Sequence, residues 1–180
     1  WGFNELGYLE ELESGCAFFG GARLVRNTVR VYSEVFNTGN WVKLAATTPS
    51  ANTVMCGNLT TQQTISQTAV LGPVVAGQFW SYNVRVRRAA GGVSFLQLTA
   101  PSGGFGASQY ANFSLLDGST VAFGCTSKST LVSGTTDTYD FSIRSLCLTS
   151  GAFDGTVVIL VDSMAAGRNS AFTGDGIKSF

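Results

Sequence analysis

The chain has 180 residues, of which 44% are hydrophobic and only 12% are charged, and its charges balance to a formal net charge of zero. This size and composition predict one domain with a sizeable core and a short appendage. The neutral balance argues against a nucleic-acid-binding protein, which needs a basic surface to displace counterions from phosphates. No run of about 18 or more apolar residues is present, so the sequence predicts no contact with a membrane through a spanning helix.

The first fifteen residues, WGFNELGYLEELESG, are the most helix-like stretch of the chain. Asn4 suits the N-cap position of a helix and Gly15 its end. The side chains that would form its apolar side are Leu6, Tyr8, Leu9 and Leu12. Because so short a helix is marginal alone, it must dock on something. Two roles stay open for residues 1–25: a helix packed on its own domain, or an attachment segment inserted into a neighbouring subunit.

From Thr28 onward the hydrophobic period changes to two, and runs rich in Val, Thr, Phe and Tyr are separated by Gly, Asn, Ser and Pro at intervals of about ten residues. This pattern predicts an all-β sandwich or barrel. In the run QFWSYNVRVRR the positions that alternate toward the core are Trp80, Tyr82, Val84 and Val86. We expect residues 90–92 to turn this strand back into VSFLQL as a hairpin.

Three later segments carry their own signals. Asp117-Gly118 predicts a tight turn between two strands. The run TDTYDFSIRSLCLTS places Tyr139, Phe141 and Ile143 on one side of a strand, and GTVVILVDS, apolar on both sides, predicts a central strand. The Gly-rich residues 102–106 lack the Lys-Ser/Thr of a phosphate-binding loop, so we interpret them as a flexible loop.

The four cysteines are far apart in the sequence, and no histidine is present, which argues against a zinc site. They are Cys16, Cys56, Cys125 and Cys147. Isolated cysteines of this kind are typically small buried side chains. In an oxidising compartment, a bridge between Cys125 and Cys147 is the first pairing to test.

Residues 26–43, RNTVRVYSEVFNTGNWVK, resemble the start of a jelly-roll module found in fibre, spike and minor virion proteins of tailed bacteriophages. The matching positions are Arg26, Asn27, Tyr32, Ser33, Glu34, Phe36, Trp41 and Lys43. The likeness continues in order through residues 79–92, 112–121 and 139–143 and through the runs VVILVDS and FTGDGIKSF, so it covers residues 26–180. The chain departs from the family pattern at TTPSANTVMCGNLTT, where a Pro-Asp-Gly-Thr segment is usual, and at Thr138, where a Trp is usual.

The resemblance implies an all-β, two-sheet antiparallel jelly-roll sandwich over residues 26–180, similar to a carbohydrate-binding module, with residues 1–25 as a helical attachment segment. It also implies a non-enzymatic structural protein of the virion, either a head or tail fibre or a decoration component. The expected partners are other virion proteins in a homotrimer, without nucleic acid or membrane. The alternative is that the chain is a glycan-binding receptor-recognition module of a phage fibre.

The sequence predicts no catalytic residue, no cofactor and no metal site, because it has no His and no carboxylate pair that clearly flanks a cleft. Asp137, Asp140, Asp154 and Asp162 suit turns or strand edges better than a glycosidase pair. Trp41 and Trp80 alternate with core residues. The polar or aromatic side chains left for contact with a sugar are Asn83, Arg85, Arg87, Tyr110 and Arg144. The alternative for these residues is a solvated or subunit-facing sheet.

Overall fold

The computed structural model describes the residues 2–3, 9–10, 17–19, 22–24, 41–50, 52–66, 71–89, 91–153 and 157–180. The chain divides into two compact units, Trp1–Arg30 and Val31–Phe180. Antiparallel strands and one helical turn make up the regular structure of the described residues, which confirms the all-β prediction. None of the helical structure in these residues is long and apolar enough to cross a bilayer.

Four short strands lie in the described residues of the smaller unit. They are β1 (Gly2–Phe3), β2 (Leu9–Glu10), β3 (Ala17–Phe19) and β4 (Ala22–Leu24). β1 pairs with β2 and β3 pairs with β4, both antiparallel.

The helix predicted over the first fifteen residues is therefore not confirmed, because Phe3 lies opposite Leu9 in a strand pair. Gly2 and Gly7 each weaken a helix by about 1 kcal/mol relative to Ala, which disfavours a helix in this stretch. Three residues of the proposed attachment side lie outside the described residues, namely Leu6, Tyr8 and Leu12. Only the backbone of Leu9 is described, so the attachment role stays a prediction.

The part of the larger unit that the structure describes has fifteen further strands and one helical turn. They are β5 (Val42–Leu44), β6 (Ala46–Ser50), β7 (Thr53–Cys56), β8 (Thr60–Thr61), β9 (Gln63–Ser66), β10 (Leu71–Val74), β11 (Phe79–Arg87), β12 (Phe95–Thr99), α1 (Ser102–Phe105), β13 (Tyr110–Ser114), β14 (Thr120–Phe123), β15 (Thr126–Leu131), β16 (Thr138–Leu146), β17 (Gly151–Phe153), β18 (Val157–Val161) and β19 (Phe172–Thr173). One sheet has six strands in the order β14-β13-β12-β18-β9-β5, and another has three in the order β11-β16-β15. The remaining pairs are β6-β7, β10-β17 and β8-β19. Residues 26–40, where the resemblance begins, lie outside the described residues.

The six-stranded and three-stranded sheets face each other across the hydrophobic core. Phe113 of β13 stacks on Phe141 of β16 with 4.6 Å between the ring centroids, and both rings are fully buried. Burial of a side chain of this size stabilises the fold by about 1.5–3 kcal/mol. Trp41 is buried in the same core, and Trp80 packs against it half-buried. The predicted inward positions of β16 are confirmed, because Tyr139, Phe141 and Ile143 are all buried.

β18 is a central strand, as its apolar sequence predicts. It pairs with β12 on one side and β9 on the other, and both Ile159 and Leu160 are buried although they point to opposite faces. A strand can be apolar on both faces only where both faces of the sheet are covered. The outer face of the six-stranded sheet must therefore be covered as well.

Residues 164–170, here called the covering segment, are held on that outer face by two fully buried amides, Gln97 and Asn112. Gln97 Nε2 donates to Asn112 Oδ1 at 2.8 Å and to the Gly167 carbonyl at 2.9 Å. Gln97 Oε1 accepts the Asn169 N–H at 2.8 Å. Asn112 Nδ2 donates to two more carbonyls of the covering segment at 3.0 and 2.7 Å. Buried amides that are fully bonded in this way fix the segment to the sheet.

The predicted hairpin between β11 and β12 is wrong. β11 pairs with β16, whereas β12 pairs with β13 and β18, so Arg87 at the end of β11 and Phe95 at the start of β12 belong to different sheets. β11 and β12 each have an apolar face. In facing sheets these two faces pack against each other, whereas in one shared sheet they would lie side by side. Arg88 fixes the crossing, because its Nε donates to the Val93 carbonyl and its Nη2 to the Gly92 carbonyl, both at 3.2 Å.

The Gly-rich residues 102–106 are a packed helical turn rather than a flexible loop. Phe105 is fully buried, and its N–H donates to the Pro101 carbonyl at 2.9 Å. A Cβ atom at Gly104 would lie 2.5 Å from the ring of Phe153. The glycine is therefore required by close packing. The predicted turn at Asp117-Gly118 is confirmed between β13 and β14, with Gly118 at φ +74°.

The cysteines of the described residues are unbridged thiols, so the pairing of Cys125 with Cys147 is not formed. Cys125 Sγ donates to the Tyr110 carbonyl and Cys147 Sγ to the Thr149 carbonyl, each at 3.2 Å. Cys56 and Cys147 are buried, as expected for small core side chains, and Cys125 is half-buried. Burial raises the pKa of the Cys125 thiol above its ordinary value. Cys16 lies outside the described residues.

Candidate binding face of the three-stranded sheet

The outward surface of β11, β16 and β15 brings together four of the five predicted sugar-contacting residues. Side chains directly opposite each other in an antiparallel pair project from the same face. Asn83 lies opposite Ser142, and Arg85 lies opposite Asp140. We call this surface the polar face; its residues are Phe79, Ser81, Asn83, Arg85, Arg87, Thr126, Lys128, Thr130, Asp140, Ser142 and Arg144.

Arg85 and Asp140 form a two-pronged ion pair at the centre of the polar face. Arg85 Nε lies 2.7 Å from Asp140 Oδ1, and Nη2 lies 2.8 Å from Oδ2. The hydrogen bond and the charge of Asp140 raise the pKa of Arg85, and the hydrogen bond from Arg85 lowers the pKa of Asp140. Both side chains stay largely accessible to water, so the pair orients two charged groups without hiding them.

Arg144 and Phe79 form a second contact on the polar face. The guanidinium carbon of Arg144 lies 4.0 Å from the centroid of the Phe79 ring, which is the geometry of a cation–π contact. Phe79 is 55% exposed although it is a large aromatic side chain. An exposed ring beside a cation can stack on the apolar side of a sugar while the cation bonds to its hydroxyls.

The charge of the polar face is positive, unlike the charge of the whole chain. Arg85, Arg87, Lys128 and Arg144 are the cations of the three strands. Two carboxylates stand against them: Asp140 pairs with Arg85, and Asp137 lies 3.6 Å from Arg87 Nε. Lys128 and Arg144 form no ion pair in the described part of the chain, which leaves two uncompensated cations on the face.

Tyr110, the fifth predicted residue, lies elsewhere. It is on β13 of the six-stranded sheet, and its ring stacks on Phe123 with 4.5 Å between centroids. The sequence predicted Tyr110 only as a candidate for contact with a sugar. The structure gives the ring an aromatic partner and removes Tyr110 from the polar face.

Sequence reasoning did not nominate Phe79, Lys128 or Ser142 as sugar-contacting residues. For Phe79 and Ser142 the alternation already gave the outward direction, and only the pairing of β11 with β16 was missing. β15, TSKSTL, has no apolar face to alternate, so nothing marked it as a strand or Lys128 as part of the surface.

The carboxylates nominated from the sequence have structural roles where they are described. Asp162 accepts the Thr173 N–H at 3.0 Å. A further carboxylate, that of Asp175, accepts the N–H groups of Ile177 and Lys178, each at 3.0 Å. These two backbone bonds lower the pKa of Asp175. Asp154 lies outside the described residues. No group of three or more Cys, Asp or Glu side chains that could hold a metal occurs among the residues searched, which are the described ones.

The polar face can bind a polar partner through charge, amide and hydroxyl contacts with one aromatic platform. Arg85 and Asp140 supply fixed hydrogen-bond geometry, and Phe79 supplies stacking area. Comparison with known proteins adds nothing to this chemistry, since no protein-family model and no curated protein matches the sequence.

Proposed function

We propose that the chain is a non-enzymatic structural protein of a bacteriophage virion, a head or tail fibre or decoration component, whose larger unit is a jelly-roll sandwich. The resemblance over residues 26–180 supports this proposal. The connections between layers support the jelly roll, because the chain passes from β11 to β12 and from β14 to β15 between the two facing sheets. Repeated crossing between two antiparallel sheets is typical of that fold.

The observation that carries the structural role is the division of the chain into a unit of residues 1–30 and a unit of residues 31–180. A small unit with its own strand pairs suits attachment to another virion protein, and the larger unit then projects as a binding or shielding module, in a homotrimer. Among the described residues, the core cluster that includes Phe113, Phe141 and Leu160 is made of residues of the larger unit.

The test is deletion of residues 1–30 in the phage that encodes the chain. The truncated protein is expected to keep the β-sheet circular dichroism and cooperative unfolding of the full chain but to be lost from purified virions. A second variant changes Leu6, Tyr8, Leu9 and Leu12 to Ser and is expected to have the same defect. Normal incorporation of the truncated protein would contradict attachment through this unit.

The second candidate function is recognition of a host-surface glycan by the polar face. The specific observation in its favour is that Asn83, Arg85, Arg87 and Arg144 meet on one open sheet surface beside the exposed ring of Phe79. Recognition by stacking and hydrogen bonding needs no catalytic group. A depolymerase would in addition release oligosaccharide from host capsule, and we expect no such release.

Binding of the labelled full chain to candidate host bacteria, before and after periodate oxidation of their surface sugars, tests this second function. Saturable binding that periodate abolishes is expected if the polar face recognises a glycan. K128Q removes an unpaired cation from the face, whereas K178Q removes a cation paired with Asp175 elsewhere and is the matched control. Equal binding by K128Q, R144Q and K178Q, or binding that resists periodate, would contradict glycan recognition by this face.

A further inference from the structure

A groove of about 300 Å³ lies at the end of the outer face of the six-stranded sheet. It is lined by the end of β12, the start of α1, Phe153 and Val157, Gln62, and the covering segment through Arg168 and Asn169. None of its lining residues belongs to the polar face. Ligand pockets range from about 300 to 1,000 Å³, so the groove has room for one small molecule of monosaccharide size.

Arg168 gives the groove its charge. Its Nη2 donates to the Ala100 carbonyl at 2.6 Å, and its Nη1 lies 3.3 Å from the carbonyls of Ala107 and Gln109. These bonds use at most three of the five N–H groups of a guanidinium. No carboxylate of the described residues lies within 4.0 Å of it.

This arrangement fixes the direction of the Arg168 guanidinium but does not neutralise it. The Arg168 side chain is partly buried, and carbonyls are neutral acceptors, so the cost of desolvating the positive charge is offset only in part. A carboxylate on a ligand would complete the pair, because a guanidinium already held in one orientation loses little entropy when it bonds.

The remaining lining groups match a sugar ring. The residues that can exchange hydrogen bonds with hydroxyls are Gln62, Thr99, Ser102 and Asn169. Phe153 adds an apolar surface, and its ring is held in place against Gly103 and Gly104. Asn169 has φ +57°, a conformation rare for residues other than glycine, and its N–H is bonded to the buried Gln97, so the groove wall is set by the amide network.

We propose that this groove binds a single carboxylated sugar residue, with the carboxylate paired to Arg168 and the hydroxyls bonded to the amide and hydroxyl groups around it. The site is separate from the polar face, so its existence does not depend on either proposed function.

Titration of the full chain by calorimetry and by chemical-shift changes tests the site with glucuronic acid and N-acetylneuraminic acid as probes. Glucose carries hydroxyls without the carboxylate, and acetate carries the carboxylate without the ring. At least one acidic sugar is expected to bind with a dissociation constant of about 1 mM or lower, at least about tenfold tighter than glucose and acetate.

The decisive variant is Q62E. It places a carboxylate in the groove that the Arg168 guanidinium also lines, while leaving the carbonyl bonds of Arg168 intact, and it is expected to weaken acidic-sugar binding at least about tenfold. Q78E adds the same charge at an exposed residue outside the groove and is expected to leave binding unchanged. Unfolding curves of both variants check that the fold is retained.

Several outcomes would overturn the proposal: no binding of either acidic sugar, equal binding of glucose or acetate, or equal binding by Q62E and the wild-type chain. D154N supplies one further test, since Asp154 lies next to the groove in sequence. If D154N binds an acidic sugar and the wild-type chain does not, an internal carboxylate neutralises Arg168 and the proposal is wrong.

Discussion

Gln97 shows what a single polar residue contributes inside this sandwich. It is fully buried, and both of its N–H donors and its carbonyl oxygen are bonded, to Asn112, to Gly167 and to the Asn169 N–H. A buried amide with every bond made costs little, whereas its removal takes a partner from the buried Asn112 Oδ1 and from the Asn169 N–H.

We therefore predict that Q97A lowers the free energy of unfolding by at least about 2 kcal/mol, since it removes the donor to the buried Asn112 Oδ1 and the acceptor of the Asn169 N–H. Urea unfolding followed by intrinsic fluorescence measures the change. Q78A, at an exposed glutamine, is the control and is expected to stay within about 0.5 kcal/mol of the wild-type value. Equal stability of the two variants would contradict the role given to the amide network.

Asp117 is a single residue whose protonation changes the stability of the fold. Hydrogen bonds from the Ser114 hydroxyl and from the N–H and hydroxyl of Ser119 lower the pKa of Asp117 to about 2, from an ordinary value of 3.8. A lowered folded-state pKa means that the carboxylate stabilises the fold above pH 3.8 and that this contribution is lost as the pH falls toward 2.

We predict that the free energy of unfolding of the wild-type chain falls relative to that of D117N between pH 4 and pH 2. Urea unfolding at a series of pH values gives the two curves, and carbon NMR of the carboxyl group gives its pKa directly. S119A is expected to raise the pKa of Asp117 toward its ordinary value. Parallel curves for the wild-type chain and D117N would count against this assignment.

At the scale of elements, close packing explains why α1 is rich in glycine. Gly103 and Gly104 lie against the ring of Phe153 on β17, and Phe105 at the end of the turn fills the core. Sequence composition suggested a loop because glycine is common where the backbone is mobile. Here glycine serves the opposite purpose, since it lets a turn approach a ring.

G104A is predicted to lower the free energy of unfolding by about 1–3 kcal/mol, because its Cβ would lie 2.5 Å from the Phe153 ring. The matched control is G167A, whose Cβ would have its nearest neighbour, Ser170 Oγ, at 3.5 Å and is expected to change stability by less than about 0.5 kcal/mol. Chemical unfolding of both variants under the same conditions measures the two changes in the free energy of unfolding. A neutral G104A would show that the ring moves aside at little cost.

The prediction of strands from the sequence depends on their hydrophobic periodicity. β16 and β18 carry strong apolar patterns, and their inward residues were predicted correctly, whereas β15 carries none and was missed. The pairing of strands was predicted less well: β11 and β12 were expected to form a hairpin and instead belong to opposite sheets. Periodicity tells which side of a strand is buried but not which strand lies beside it.

For the molecule as a whole, the described cysteines contribute as buried small side chains and not as cross-links. We predict that a reducing agent leaves the unfolding midpoint unchanged and that mass spectrometry finds no bridge among Cys56, Cys125 and Cys147. In a C16S background, an alkylating reagent should modify the half-buried Cys125 before the buried Cys56 and Cys147. A midpoint that falls on reduction would contradict the unbridged arrangement.

The sequence by itself determined the all-β class, the buried faces of β11, β16 and β18, the turn at Asp117-Gly118 and the outward direction of Asn83, Arg85 and Arg87. These properties are local, because side-chain alternation and turn conformation depend on neighbours in the chain.

Only the tertiary structure decided the features that depend on distant pairing. Arg85 meets Asp140 across 55 positions of sequence, and Arg168 meets the Ala100 carbonyl across 68. Contacts between distant parts of the chain also decide which layer each strand joins. They hold the covering segment on Gln97 and form the groove beside Arg168. Such contacts arise when apolar faces are buried together and polar groups find partners, and no period or motif in a single strand specifies them.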